Sequence, residues 1–139
     1  MQPDRSTANP LASHWRANDW FGAQLGGTAW LFVAAGLLAF DARSSAAVVL
    51  GCGLAANLAG CLLWSLRAQH DPYRAFQLLV VIVGLAGAVA TRWLELRGEF
   101  ALLDPRVTPR AMDVLLLALS LVLLAVFEAR RREALKNGA

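Results

Sequence analysis

Asn57 is the residue whose type and setting suit chemistry best: a carboxamide in the middle of a long apolar stretch. On a helix it shares a face with Gly53, Gly60 and Trp64, at i−4, i+3 and i+7. Small residues beside an amide let a second helix approach closely and share its hydrogen bonds, worth about 0.6–2 kcal/mol inside lipid. The same amide turned toward a pore would contact a substrate or an ion. Gln24, Thr28, Gln77, Thr91 and Ser120 are the other polar side chains that mark the apolar stretches. With Asn57 they are candidates for interhelical bonds or, alternatively, for the lining of a neutral polar path.

Other combinations carry less chemistry. His14, His70 and Asp71 supply two imidazoles and a carboxylate, but no helical or hairpin spacing ties them together as a metal site requires. Arg67, His70, Asp71, Tyr73 and Arg74 form a short polar patch suited to lipid headgroups or a partner protein. Cys52 and Cys61 stand nine residues apart. On a helix that is about 13.5 Å of rise and nearly opposite faces, so they read as small buried packing residues that cannot bond to each other. The chain has no C-x-x-C, H-E-x-x-H, G-x-S-x-G or P-loop pattern. Glu95 and Glu99 lie four apart among Arg92 and Arg97, a pattern of solvated ion pairs rather than a catalytic carboxylate pair. These absences point away from an enzyme, and neither a cofactor nor a metal is expected.

Small residues form stripes on the first three apolar stretches. Gly22 and Gly26 make a G-x-x-x-G, continued on the same face by Ala29 and Gly36, which is expected to serve internal packing more than dimerisation. Gly53 and Gly60 flank Asn57, and Gly84 and Gly87 lie near Gln77 and Thr91 in the third stretch. The fourth stretch is coated with leucine on every side, with Ser120 as its polar break. Heavy lipid exposure is expected there, and a tight core among the first three.

The elements that must position these residues follow from composition. The chain has 139 residues, 58% of them hydrophobic and 17% charged, against about 25% charged in soluble domains. A soluble domain this small cannot bury so much apolar surface, whereas four spans of about 20 residues consume it. The expected fold is therefore all-α: a polytopic membrane protein of four transmembrane helices in an up-down-up-down bundle, with spans near 20–40, 46–66, 72–96 and 109–129. Residues 1–19 form a polar segment ahead of the bundle and 130–139 a basic tail. The first apolar stretch is too long for the 7–15 apolar residues, roughly, of a cleaved signal and reads as a retained span.

Asn18 or Asp19 is expected to cap the first helix and Ser44 or Ser45 the second. Asp71-Pro72 and Thr108-Pro109 open the third and fourth. Between them, Trp93, Leu96, Phe100 and Leu103 recur at helical spacing, so the connection is either an interfacial amphipathic helix or an extension of the third span ending in a turn at Asp104-Pro105. All five prolines fall outside the apolar stretches, so the helices read as continuous. The stretches centre near Trp30, Ala56, Leu85 and Leu119, with no ionisable side chain within a turn or two, which argues against proton coupling.

Net charge is +3, from twelve Arg, one Lys and ten acids. Eight of the thirteen basic residues fall in the N-terminal, second-loop and C-terminal segments, which places both termini in the cytoplasm. Trp15, Trp20, Trp64 and Tyr73 would then sit at the inner interface and Trp93 at the outer one. The run Arg130, Arg131, Arg132 and Lys136 reads as an anchor to anionic headgroups, not as a nucleic-acid face. Arg in preference to Lys, with abundant Ala, Leu and Gly, points to a bacterial inner membrane. The expected function is packing, assembly or partner binding by a small non-enzymatic bundle; the alternative is a homo-oligomeric channel or transporter built around Asn57. Its expected partners are the lipid bilayer and either itself or another membrane protein.

Overall fold

The computed structural model describes residues 17–66, 72–103 and 109–137. Within them lie four long helices, α1 (Ala17–Leu38), α2 (Arg43–Ser65), α3 (Pro72–Arg97) and α4 (Pro109–Asn137), and one 3₁₀ turn at Phe100–Leu102. They are 22, 23, 26 and 29 residues long, and each carries a stretch long and apolar enough to cross a membrane. The basic run at the chain's end is not a separate tail in conformation: α4 continues through it to Asn137.

Local chemistry sets the ends. Asn18 and Asp19 lie within the first turn of α1, where a carboxylate favours the helix dipole. Neither Ser44 nor Ser45 caps α2; its N-cap is Ala42, which offers no side-chain bond, and both serines lie inside the helix. The turn before it is tight because the Ala42 N–H reaches back to the Leu38 carbonyl at 2.8 Å. Pro72 and Pro109 open α3 and α4, while Asp71, Thr108 and the Asp104-Pro105 pair lie outside the described residues. At the end of α3, Gly98 takes φ +68°, a left-handed conformation open to glycine. It lets the Glu99 N–H bond to the Leu94 carbonyl (2.9 Å) and its own N–H bond to that of Glu95 (3.0 Å), closing the helix with a Schellman motif. The four hydrophobic residues of this connection do not form one face: Phe100 is 7% exposed and Leu96 77%.

The core has two parts. Leu31, Ala34, Ala35 and Leu38 of α1 pack with Ala46 and Val49 of α2 and with Ala90, Leu94 and Phe100. Toward the other end Trp20 packs with Ala75, Phe76 and Leu79. Trp20 is only 1% exposed, packed among its neighbours with its ring centroid 5.7 Å from that of Trp64 and 6.2 Å from that of Phe76. Helix α3 touches all three other helices, whereas α4 packs chiefly on α3. The most apolar stretch of α1 is 39% buried, and that of α4 has no buried residue.

Side chains of neighbouring helices press close to four glycines. A Cβ on Gly27 would lie 2.8 Å from Val83, one on Gly53 3.3 Å from Leu31 and Phe32, and one on Gly87 3.1 Å from Leu116 and 3.3 Å from Trp30. On Gly60 it would collide with the Gln24 carboxamide. Gly22 and Gly26 correct the expectation made of them: both are exposed with open space above them, so the G-x-x-x-G faces away from the bundle. Gly84 likewise meets nothing. Because both sides of a helix in this chain are apolar, smallness alone did not reveal which side faces inward.

Candidate functional site

Three of the sequence-predicted polar residues come together between α1 and α2. Gln24 and Thr28 stand one turn apart on α1 and are 2% and 0% exposed; Asn57 faces them from α2, half-buried. The Gln24 Nε2 donates to the Asn57 backbone carbonyl (2.9 Å) and to its side-chain Oδ1 (3.0 Å). In return the Asn57 Nδ2 donates to the Thr28 hydroxyl (2.8 Å) and to the Gly53 carbonyl (2.8 Å). The Thr28 hydroxyl passes its own proton to the Gln24 backbone carbonyl at 2.9 Å. One turn below, the Trp20 indole N–H donates to the Gly60 carbonyl at 3.3 Å.

Gly60 leaves the room that the Gln24 carboxamide occupies, and at Gly53 a Cβ would crowd Leu31 and Phe32. The buried Gln24 Oε1 has no conventional donor within reach. Its carboxamide lies over the Cα of Gly60, where weak Cα–H···O contacts recur at close helix–helix approaches. The cluster is neutral and its donors are committed internally. Chemically it can hold two helices in register; it offers no nucleophile, acid or base.

The other candidates do not join it. Thr91 is buried and Ser120 half-buried, and each donates to a carbonyl of its own helix, Gly87 and Leu116 respectively, at 2.8 Å. Gln77 is half-buried on α3, apart from this cluster. Arg67, His70 and Asp71 of the loop patch, and His14, lie outside the described residues; Tyr73 lies in the first turn of α3 and Arg74 is exposed. Cys52 is half-buried and Cys61 exposed rather than buried, both free thiols. Among the described residues no three potential metal ligands cluster. A small recess between α1, α3 and α4, lined by Gly27, Val83, Gly84, Ser120 and Leu123, has a volume of about 30 Å³.

A second polar cluster escaped the sequence. The fully buried Ser45 hydroxyl donates to the Glu99 carboxylate and accepts the Trp93 indole N–H at 3.0 Å. Arg97 lies 3.6 Å from Glu99 and donates to the Ser44 hydroxyl at 3.4 Å. Glu99 therefore brings a negative charge to the first turn of α2, whose own N-cap supplies none. Only Arg92–Glu95 remains the expected exposed pair. The partners are 48–54 residues apart in sequence, and no local pattern connects them.

Comparison of the chain with protein-family models, with characterised proteins and with solved structures finds no match.

Proposed function

We propose that the chain is a non-enzymatic integral membrane protein, an up-down-up-down bundle of four transmembrane helices whose role is packing, assembly or partner binding in a bacterial inner membrane. Four helices of sufficient length and hydropathy support the spanning part of this reading. The order of contacts supports the alternation: Trp20 with Gly60 but Leu31 with Gly53, and Phe76 with Phe127 but Gly87 with Leu116. The distribution of basic residues supports cytoplasmic termini, with Arg130, Arg131, Arg132 and Lys136 at the anionic lipid surface.

The observation that carries the structural role is the Gln24–Thr28–Asn57 cluster, whose amide donors and hydroxyls are spent on joining α1 to α2. A conducting path would leave such groups free to replace the hydration of a passing solute. The test is Asn57→Leu in purified protein and in liposomes. A modest loss of stability with no change in ion or solute flux is expected; a flux in the wild type that this substitution abolishes would establish the channel instead.

A further inference from the structure

The charge-free stretches of α1 and α4 are each flanked by carboxylates, yet they differ in length. Asp19 and Asp41 enclose 21 residues free of charge, of which 20–38 are helical and rise about 29 Å, whereas Asp113 and Glu128 enclose 14, all helical, about 21 Å. A hydrocarbon core is about 30 Å thick, so α1 matches it and α4 falls short. Tilting shortens the reach of a helix across a bilayer, so it makes the deficit worse. Arginine can snorkel along its own stem, but an aspartate is too short to do so.

Contacts between helices place the deficit at one end. Gly27 meets Val83, which lines the small recess together with Ser120, and Trp30 meets Gly87, which meets Leu116. The Phe76–Phe127 stack, with centroids 4.4 Å apart, gives α3 and α4 the same register. Leu116 therefore lies level with Trp30, the middle of the charge-free stretch between Asp19 and Asp41, whereas counting along the fourth apolar stretch puts its centre at Leu119. Asp113 then stands less than a turn, about 4.5 Å, from that level. On α3, Arg92 and Glu95 lie about 8 and 12 Å from it. Asp113, Arg110, Arg92 and Glu95 are all exposed, and Asp113 has no ion pair among the described residues. At the opposite end there is no such step, because Arg130 reaches Asp19 at 3.7 Å.

We infer that the α3–α4 face thins the bilayer leaflet at the end where α3 leads into α4, drawing water and headgroups down to Asp113 while the leaflet beside α1 keeps its full depth. The inference rests on the four helices spanning the membrane. The partner surface is the lipid itself, at a place where it is locally short. Thinning is the ordinary response to a spanning stretch shorter than the hydrocarbon, and here it also spares the Asp113 carboxylate from burial near the centre.

The experiment compares single cysteines in a Cys52→Ala, Cys61→Ala background, reconstituted in phosphatidylcholine–phosphatidylglycerol vesicles with 18-carbon chains. Labelling by a membrane-impermeant maleimide reports water at the thiol, with access given to both vesicle faces. Leu115→Cys on α4 and Val33→Cys on α1 are both lipid-side positions, and Val33 lies slightly nearer the outer end. In a flat bilayer Val33→Cys would label at least as fast as Leu115→Cys. Thinning predicts the reverse, with Leu115→Cys at least tenfold faster, and predicts that adding Asp113→Leu with Arg110→Leu removes the difference. Equal protection at the two positions, or a difference that survives those substitutions, would overturn the inference. If Val33→Cys and Leu54→Cys both label at the rate of a free thiol, the spanning reading falls as well, a result separable from the first.

Discussion

Helices α1 and α2 meet through small and polar residues; α4 meets α3 through leucine and aromatic rings. At the first seam Gly53 and Gly60 admit the opposing side chains, and Gln24, Thr28 and Asn57 exchange hydrogen bonds across it. At the second, the two contacts fixed by geometry are the Phe76–Phe127 stack and Leu116 over Gly87. In water the leucine-rich helix would be the more firmly held. In hydrocarbon it loses that advantage, because lipid tails are as apolar as leucine, and what remains is close packing and hydrogen bonding. On the proposed spanning reading, that difference accounts for the helix richest in leucine having no buried residue in its most apolar stretch.

The comparison breaks most decisively at Gly60. A Gly60→Val side chain would enter the volume of the Gln24 carboxamide and force apart the bonds it makes to Asn57. Overpacking together with the lost hydrogen bonds is expected to cost about 3 kcal/mol. Gly51→Val supplies the control, since Gly51 lies on the same helix with open space above it. Denaturation in mixed micelles should show a large fall in midpoint for the first and little change for the second. Equal effects would mean that backbone propensity, and not the seam, sets the cost.

A second test sharpens the account of what the polar cluster contributes. Gln24→Leu, Asn57→Leu and their combination form a double-mutant cycle, with an expected coupling of about 1 kcal/mol, inside the range found for interhelical bonds in membranes. A coupling near zero in the same assay would reduce the cluster to two side chains that happen to be adjacent. Thr28→Val should cost less than either amide, since Thr28 accepts one of the two bonds that Asn57 Nδ2 donates.

Much of this arrangement is visible in the residue order, and the part that is not has a physical cause. Four helices follow from apolar runs bounded by charge, and Pro72 and Pro109 mark two starts. Asn57 with Gly53 and Gly60 on one face is readable because an amide between glycines has few other uses on an apolar helix. Gln24 and Thr28 as its partners are not, since pairing requires the register of α1 against α2, which the sequence does not encode locally. Gly22 and Gly26 mislead for a related reason: with hydrophobic residues all around α1, the period that normally separates inside from outside is absent. The level of Asp113 is hidden in the same way, because it depends on how α4 is set against α3.

The Ser45–Glu99 contact is the farthest from anything a local pattern predicts, and Ser45→Ala tests it. The substitution removes the donor to Glu99 and the acceptor of the Trp93 indole, leaving both partners near water. A loss of about 1 kcal/mol is expected, below that of a fully buried charged bond because solvent screens the half-buried carboxylate. Trp93 fluorescence in a protein retaining that tryptophan alone should shift toward the solvent-exposed maximum. An unchanged spectrum would place the end of α3 on its Schellman turn and Phe100 alone.

The smallest expected effect is the most exacting test, because it asks for nothing to happen. Leu117 of α4 is 61% exposed, and Gly26 of α1 has open space above it. Leu117→Ala would cost several kilocalories per mole in a packed core. If α4 spans the bilayer as proposed, the side chain exchanges contact with lipid for contact with lipid, so the unfolding midpoint should not move. Gly26→Leu should likewise leave the fold of a single copy intact, since the added side chain meets none of the bundle's own atoms. If Leu117→Ala destabilises the protein, α4 is covered by something other than lipid, and the two seams would have to be ranked again with a partner helix included. If Gly26→Leu leaves the monomer stable but lowers the mass of the purified particle, the outward glycines of α1 hold a second copy, and small residues then serve both faces of that helix while leucine serves neither face of α4.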